Sequence, residues 1–216
     1  MNGDKLRSVS EKTINRLSLY RRLLENRFGK GHEHVFSHEL AELACVTPAQ
    51  VRRDLMCVDN SGSTSRGYSV QELVREITAV LDAPGGQRIA LVGVGNLGRA
   101  ILSYFSGRRP GIAITAAFDS DPSLAGRVIN GCRCHPMSEL SEVLRGSEIG
   151  AAIVAVPASA AQDIADRLVA AGVRGILNFA PVPLKVPEGV FLEHRDMTMS
   201  LETVAFFARR SLGDAE

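Results

Sequence analysis

The sequence predicts an α/β chain in two parts, a helical front and a doubly wound parallel sheet behind it. Three observations carry that prediction. Behind residue 85, apolar runs of strand length alternate with amphipathic runs of helix length, the pattern of a parallel sheet covered by helices. The first such run, Arg88-Ile89-Ala90-Leu91-Val92, leads directly into Gly93-Val94-Gly95-Asn96-Leu97-Gly98 and a helical stretch. Ahead of residue 83 lie only short helical segments with capping signals and one turn-rich stretch. Asp82-Ala83-Pro84-Gly85-Gly86 is loop chemistry and sets the boundary between residues 84 and 85.

Composition narrows the classes. The 216 residues, 45% of them hydrophobic, suffice for one large or two small cores. No apolar run approaches the ~18 residues of a membrane span, and Met1–Arg7 opens no signal-peptide apolar region. Cys45, Cys57, Cys132 and Cys134 are too scattered for a disulfide framework, so a reducing cytoplasm is expected, with no membrane partner. The net charge of +1 hides an asymmetry: residues 1–30 carry eight basic against three acidic side chains, while residues 85–216 carry thirteen of each. A basic front and a neutral back suggest two jobs on one chain.

The front elements follow in order. Ile14, Leu17, Tyr20, Leu24 and Phe28 recur at helical spacing with arginines between them. Ser37 is placed to cap a short helix over His38–Ala44, with Leu40 and Leu43 facing inward. Thr47-Pro48 opens a third helix, a capping hydroxyl followed by proline at the first helical position. In that helix Val51 and Leu55 share an inward face, while Gln50, Arg52 and Arg53 point outward. A turn-rich segment, 59–68, precedes another helix over Val70–Leu81. Two short helices joined by Cys45-Val46, with a loop behind, make a winged helix-turn-helix. Its second helix would enter a major groove, where Gln and Arg reach base edges and phosphates.

The back elements carry a dinucleotide signature of the Rossmann type. Gly93 permits the tight turn, Gly95 lets backbone approach a pyrophosphate, and Gly98 lets helix pack on strand. The following helix offers free N–H groups to phosphates. A second strand, Ile112–Phe118, ends at Asp119, at the spacing expected of a carboxylate that binds adenosine ribose. Ser120 and Asp121 follow rather than an arginine, which favours NAD(H) over its 2′-phosphorylated form. Strands over Ile149–Val156 and Gly175–Phe179 flank a helix over Ala158–Ala171. Their ends, Val156-Pro157 and Asn178-Phe179-Ala180-Pro181, together with Tyr104, are the segments expected around the nicotinamide. No catalytic pair declares itself: the back part holds His135, His194 and Lys185 alone as candidate proton carriers, and His194 reads as part of a late strand. Cys132-Arg133-Cys134-His135 offers three candidate metal ligands without a fourth, and reads as ordinary core.

A basic helix-turn-helix ahead of such a unit resembles the Rex family of redox-sensing bacterial transcriptional repressors. The resemblance runs from about Lys12 to Leu212. Its pieces are Arg16-Leu17-Ser18-Leu19-Tyr20, Ala49-Gln50-Val51-Arg52-Arg53-Asp54-Leu55, the glycine loop with Arg99-Ala100, Ala117-Phe118-Asp119-Ser120-Asp121-Pro122, Val156-Pro157-Ala158, Gly175–Pro181 and Lys185–Val190. It implies a non-catalytic homodimer in three parts: a DNA-binding domain (1–84), an NAD(H)-binding domain (85–196) and a swapped C-terminal helix (197–216). Val204, Phe206 and Phe207 of that helix would be buried against the partner. It further implies that NADH closes the dimer and releases an inverted-repeat operator. By position, Arg22, Tyr104 and Asp196 resemble the family's switch network. Thr47, Gln50, Arg52, Arg53, Arg16 and Arg66 are the expected DNA contacts. Gly93–Gly98, Tyr104, Asp119, Val156, Pro157, Phe179, Ala180 and Pro181 are the expected cofactor contacts.

One departure stands out. Where the family carries an aromatic, glycine-rich wing with basic residues, Met56 to Tyr68 retains Gly62, Gly67 and Tyr68 in place, with Arg66 its one basic side chain. Fewer phosphate contacts imply weaker DNA affinity and a shallower salt dependence. Two rivals stay open from sequence: an NAD-dependent oxidoreductase with a dimerising N-terminus, and a divergent paralogue with altered or lost operator binding.

Overall fold

The computed structural model describes residues 9–58, 66–107 and 111–213, with side chains as far as residue 210. The chain divides between Pro84 and Gly85 into two compact units.

The N-terminal unit holds α1 (Glu11–Phe28), β1 (His34–Val35), α2 (Ser37–Ala44), α3 (Pro48–Leu55), β2 (Tyr68–Ser69) and α4 (Val70–Leu81). Its core holds Leu17, Tyr20 and Leu24 from α1, Leu40 from α2 and Val51 and Leu55 from α3, all expected inward, joined by Leu73 and Ile77 from α4, while Ile14 is only half-buried. Ser10 caps α1, Thr47 caps α3 and Ser69 caps α4, each accepting a first-turn N–H. Three details of α1 and α2 differ from expectation. Ser37 is the first helical residue rather than the cap, and the Glu39 carboxylate accepts the N–H of Phe36 at 2.7 Å in its place. Leu43 and Phe28 are exposed, since a helix of this small bundle buries a stripe too narrow to hold every apolar position. The turn between α2 and α3 is made by Cys45 in the left-handed region, φ 53°. β1 and β2 pair antiparallel, Val35 opposite Tyr68. Gly67 must be glycine here, because a Cβ would meet the Val35 carbonyl at 2.6 Å. Of the expected wing, Met56 to Tyr68, residues 59–65 lie outside the described residues.

One buried charge ties this unit together. Asp54 of α3 is 1% exposed and accepts from Arg16 Nε (2.6 Å) and Nη2 (2.7 Å), the Tyr20 hydroxyl (2.9 Å) and Gln50 Nε2 (2.9 Å). Burial pushes the carboxyl up, but the donors Arg16, Tyr20 and Gln50 outweigh it and hold it below the ordinary value. A second pair, Arg21 Nη1 to Asp82 Oδ1 at 2.8 Å, joins α1 to the residue that ends α4.

The C-terminal unit is a seven-stranded sheet in the order β5-β6-β4-β3-β7-β8-β9. Its strands are β3 (Gln87–Val92), β4 (Ile112–Asp119), β5 (Val128–Ile129), β6 (Cys132–Pro136), β7 (Ala151–Val154), β8 (Gly175–Asn178) and β9 (Phe191–His194). Every pairing is parallel except the short β5 edge. Side chains alternate as a strand demands. Ala90, Val92, Phe118 and Val154 face α6 (Leu140–Gly146) and α7 (Ala158–Ala170), while Leu91, Ala117 and Ile153 face α5 (Asn96–Phe105). The strands before and after α7 are shorter than the apolar runs suggested. Val156 and Phe179 lie beyond the ladder, in the loops that leave the sheet. Helix α8 (Met197–Gly213) ends the chain.

The depressed Asp54 carboxyl makes stability depend on pH. Its contribution is complete above the unfolded-state value near 3.9 and is lost as pH falls through the lower folded-state value. Denaturant unfolding of the full chain at a series of pH values should show stability falling below about pH 4, with a flatter dependence in Asp54→Asn. At pH 7 Asp54→Ala should cost about 3 kcal/mol, mainly from stranding its partners.

Candidate functional site

The cleft of the C-terminal unit forms where strand order reverses. β3 has β4 on one side and β7 on the other, so the chain segments leaving these strands diverge and open a crevice. Its volume is about 330 Å³, and it is lined by Gly93 and Gly95 after β3, Asp119 at the end of β4 with Ser120 behind it, and Val156 and Pro157 after β7. Met137, Ala160 and Ile164 supply an apolar wall.

The three glycines have separate physical reasons. Gly93 turns with φ +96°, and a Cβ on it would meet the Ala155 carbonyl oxygen at 2.2 Å. Gly98 lies so close beneath the turn that a Cβ would stand 1.9 Å from the Gly93 oxygen. Gly95 differs, because a Cβ there meets nothing within 4 Å. That open space at the N-cap of α5 is what a pyrophosphate needs for close approach to free N–H groups. Asn96 is exposed at the first helical position, while Leu97 packs into the core below.

Asp119 also shapes the loop. Its Oδ2 accepts the Val94 N–H at 2.6 Å and its Oδ1 accepts the Asp121 N–H at 2.8 Å. Each oxygen keeps a lone pair for a ribose hydroxyl. From the other end of the turn, Arg99 Nε donates to the Val94 carbonyl at 3.0 Å, a brace that no sequence signal identified. The set fits NAD(H): open backbone for the pyrophosphate, a carboxylate for ribose, an apolar wall, and no cation directly after Asp119 to receive a 2′-phosphate.

Not every expected cofactor residue lines this cleft. Phe179, Ala180 and Pro181 lie in the loop after β8, which Asn178 braces. The Asn178 side chain is buried, takes the Ala180 N–H on Oδ1 at 3.0 Å and gives Nδ2 to the Val182 carbonyl at 2.9 Å. His194 Nδ1 stands 3.0 Å from the same Nδ2. Asn178 thus shapes this loop; its place at a strand end before a proline-bearing turn was the available signal. Tyr104 is 56% exposed near the end of α5, edge-on to Phe105.

In the N-terminal unit the candidate surface is α3. Thr47 Oγ1 is engaged as the cap of the Gln50 N–H, and Arg52 Nη1 donates to Ser37 Oγ at 3.2 Å. Arg52 and Arg53 are exposed. Gln50 is half-buried rather than simply outward, because its amide turns back to Asp54. Arg16 spends Nε and Nη2 on Asp54, and Nη2 also reaches Thr13 Oγ1 at 3.4 Å. Arg66 is exposed beside the β2 strand.

Of the switch candidates, Arg22 is exposed on α1. Asp196 is the N-terminal cap of α8, with Oδ1 accepting the Met199 N–H at 2.9 Å. Cys132 and Cys134 are buried on β6, and burial, with the neighbouring thiol, pushes Cys132 up to about 11, which leaves it a protonated, unreactive thiol at neutral pH. His135 pairs with Glu139 at 2.9 Å. No helix among the described residues is long and apolar enough to cross a membrane.

Comparison with known proteins adds context. Residues 86–182 match the family described as CoA binding domain, and residues 8–55 match that described as putative DNA-binding protein N-terminus. The redox-sensing transcriptional repressor Rex of Carboxydothermus hydrogenoformans is 43% identical over 202 residues, covering 94% of this chain and 97% of its own. The Rex repressor of Roseiflexus sp. (strain RS-1) is 39% identical over 98% of this chain and 96% of its own. Among solved structures, the Rex-family repressor RSP with β-NAD⁺ and operator DNA superposes with TM-score 0.86 at 34% identity, covering 94% of both chains. RSP with β-NADH gives 0.81 at 35% identity, covering 94% of this chain and 96% of the other.

The glycine geometry separates folding from binding. Gly95→Ala should leave the unfolding midpoint unchanged while weakening NADH binding by about tenfold or more in calorimetry, a loss of ~1.4 kcal/mol. Gly98→Ala should destabilise the chain itself by about 3 kcal/mol, because its Cβ collides with backbone.

Proposed function

Because the chain belongs to the Rex family of redox-sensing transcriptional repressors, we propose that it is a dimeric repressor that binds operator DNA through α3 and NAD(H) through the β3–β4–β7 cleft, and that NADH releases it from DNA. The observation that carries this reading is the joining, in one chain, of a capped helix bearing Gln50, Arg52 and Arg53 to a cleft with open backbone at Gly95 and a carboxylate at Asp119. Near-full-length identity to Rex repressors supports it.

Gly93, Val94, Gly95, Asn96, Leu97 and Gly98 would hold the pyrophosphate, and Asp119 the ribose. Val156, Pro157, Phe179, Ala180, Pro181 and Tyr104 would surround the nicotinamide. That ring carries a positive charge when oxidised and none when reduced, so the groups around it are where the two forms can be told apart. Moving a dimer from mostly open to mostly closed takes about 5.5 kcal/mol of differential binding, which two equivalent sites share. Arg22, Tyr104 and Asp196 are the candidates for passing that difference to the DNA-binding units. Arg52 and Arg53 reach bases and phosphates, with Thr47, Arg16 and Arg66 as flanking contacts.

The homodimer is supported by α8. Every described side chain of this helix is exposed in the single chain, including Leu201 (69%), Val204 (65%), Phe206 (53%) and Phe207 (55%). Apolar side chains in that number on one helix call for a covering surface, and exchange of α8 between two copies provides it.

Fluorescence anisotropy with the chain's own promoter DNA tests the function. Binding should be retained with NAD⁺ and lost on adding NADH; equal binding in both would exclude redox control by this route. Phe206→Glu should convert the dimer to monomer in sedimentation equilibrium and weaken operator binding at least tenfold, since two half-sites would no longer be held together.

A further inference from the structure

We infer that Asp54 is a positioning residue that fixes which edge of the Gln50 amide faces DNA, and that Gln50 so held reads an adenine. The inference rests on α3 being the helix that enters the major groove.

Gln50 is the third residue of α3, in the first turn, where helices of this kind meet base edges. Oxygen and nitrogen of an amide are nearly equal in size, so hydrogen bonding alone decides which faces where. Asp54 makes that choice. Its carboxylate is buried and already takes three hydrogen bonds from Arg16 and Tyr20, which keep it ionised and therefore an acceptor only. The amide atom 2.9 Å from Asp54 Oδ1 must then be nitrogen. Reversal would set the Gln50 oxygen against a carboxylate oxygen.

The consequence concerns the opposite edge. Among the described residues Gln50 Oε1 has no hydrogen-bond partner, and Nε2 keeps one hydrogen beyond that given to Asp54. Gln50 therefore presents an acceptor with a donor beside it. In the major groove adenine matches this with the N6 donor next to the N7 acceptor. Guanine offers two acceptors, thymine an acceptor and a methyl group, and cytosine a donor with no neighbouring acceptor. Arg16 and Tyr20 come from α1, so the helix packed behind α3 sets the state of a base-reading side chain on its surface.

The test uses the full-length protein and a site it selects from a duplex library of randomised inverted repeats. At each adenine of that site, 7-deazaadenine removes N7 and 2-aminopurine removes the N6 amine. One adenine per half-site should be sensitive to both, with binding weakened by about tenfold or more, and that sensitivity should vanish in Gln50→Ala. In Asp54→Asn, Arg16 and Tyr20 draw the amide oxygen of the new side chain, its nitrogen turns to Gln50, and the Gln50 amide reverses. Preference at that pair should then move from A·T to G·C. A merely structural Asp54 would instead weaken binding to all duplexes evenly. If Asp54→Asn fails to fold, the base analogues with wild type and Gln50→Ala decide the matter. A selected site whose adenines are all indifferent to Gln50 overturns the inference and leaves the repressor reading standing. Failure of the wild type to select any site overturns both.

Discussion

The C-terminal unit depends on one close approach, the first turn of α5 against the end of β3. With 1.9 Å between a hypothetical Gly98 Cβ and the Gly93 oxygen, the helix can reach the sheet only where residue 98 lacks a side chain, while Gly93 is required by the Ala155 carbonyl, 2.2 Å from its own hypothetical Cβ. That approach aims the helix N-terminus into the crevice between β4 and β7. It also brings Val94 within reach of Asp119, whose carboxylate locks the turn from the neighbouring strand. The open helix N-terminus, the Asp119 carboxylate and the cleft wall that the proposed cofactor would use are thus brought together by close backbone approach. Of the three loop glycines Gly95 is the exception, since its missing Cβ leaves space rather than relieving a clash, and that space is where the proposed pyrophosphate would lie.

The N-terminal unit is organised differently. Helix α3 turns Val51 and Leu55 inward as its apolar pair, with Asp54 buried beside them. That buried carboxylate adds polar ties to α1. Desolvating Asp54 is costly, and a lone buried charge would not survive; the bidentate Arg16 fork and the Tyr20 hydroxyl offset that cost and add direction. Direction matters because apolar packing tolerates small rotations of a helix, whereas a four-bonded carboxylate does not. In the DNA-binding role proposed for α3, such a fixed azimuth would hold its outer face at hydrogen-bond distance from bases.

The two units have separate cores. Helix α8 has none of its own, and its exposed Val204 and Phe206 are the feature of the single chain most at odds with an isolated existence in water. The homodimer proposed above would cover that surface.

Sequence by itself determined what is local or periodic. Glycine spacing, the Thr47-Pro48 cap, alternation of strand and helix, the break at Pro84 and the carboxylate at Asp119 are written in neighbouring residues, and backbone sterics make them legible without coordinates. The same locality explains the errors. Ser37 and Leu43 looked right by composition, but a glutamate three residues on took the capping task, and the bundle is too narrow to cover Leu43. Only the tertiary structure decided that Asp54 lies beneath Arg16 and Tyr20, 38 and 34 residues away in sequence, and that Arg16 and Gln50 are turned inward by it. It likewise decided that Asn178 holds its loop through carbonyls and that Arg99 braces Val94. The physical reason is that a hydrogen bond depends on position and direction in space, and side chains of unremarkable type acquire their roles when packing brings them within about 3 Å of a partner.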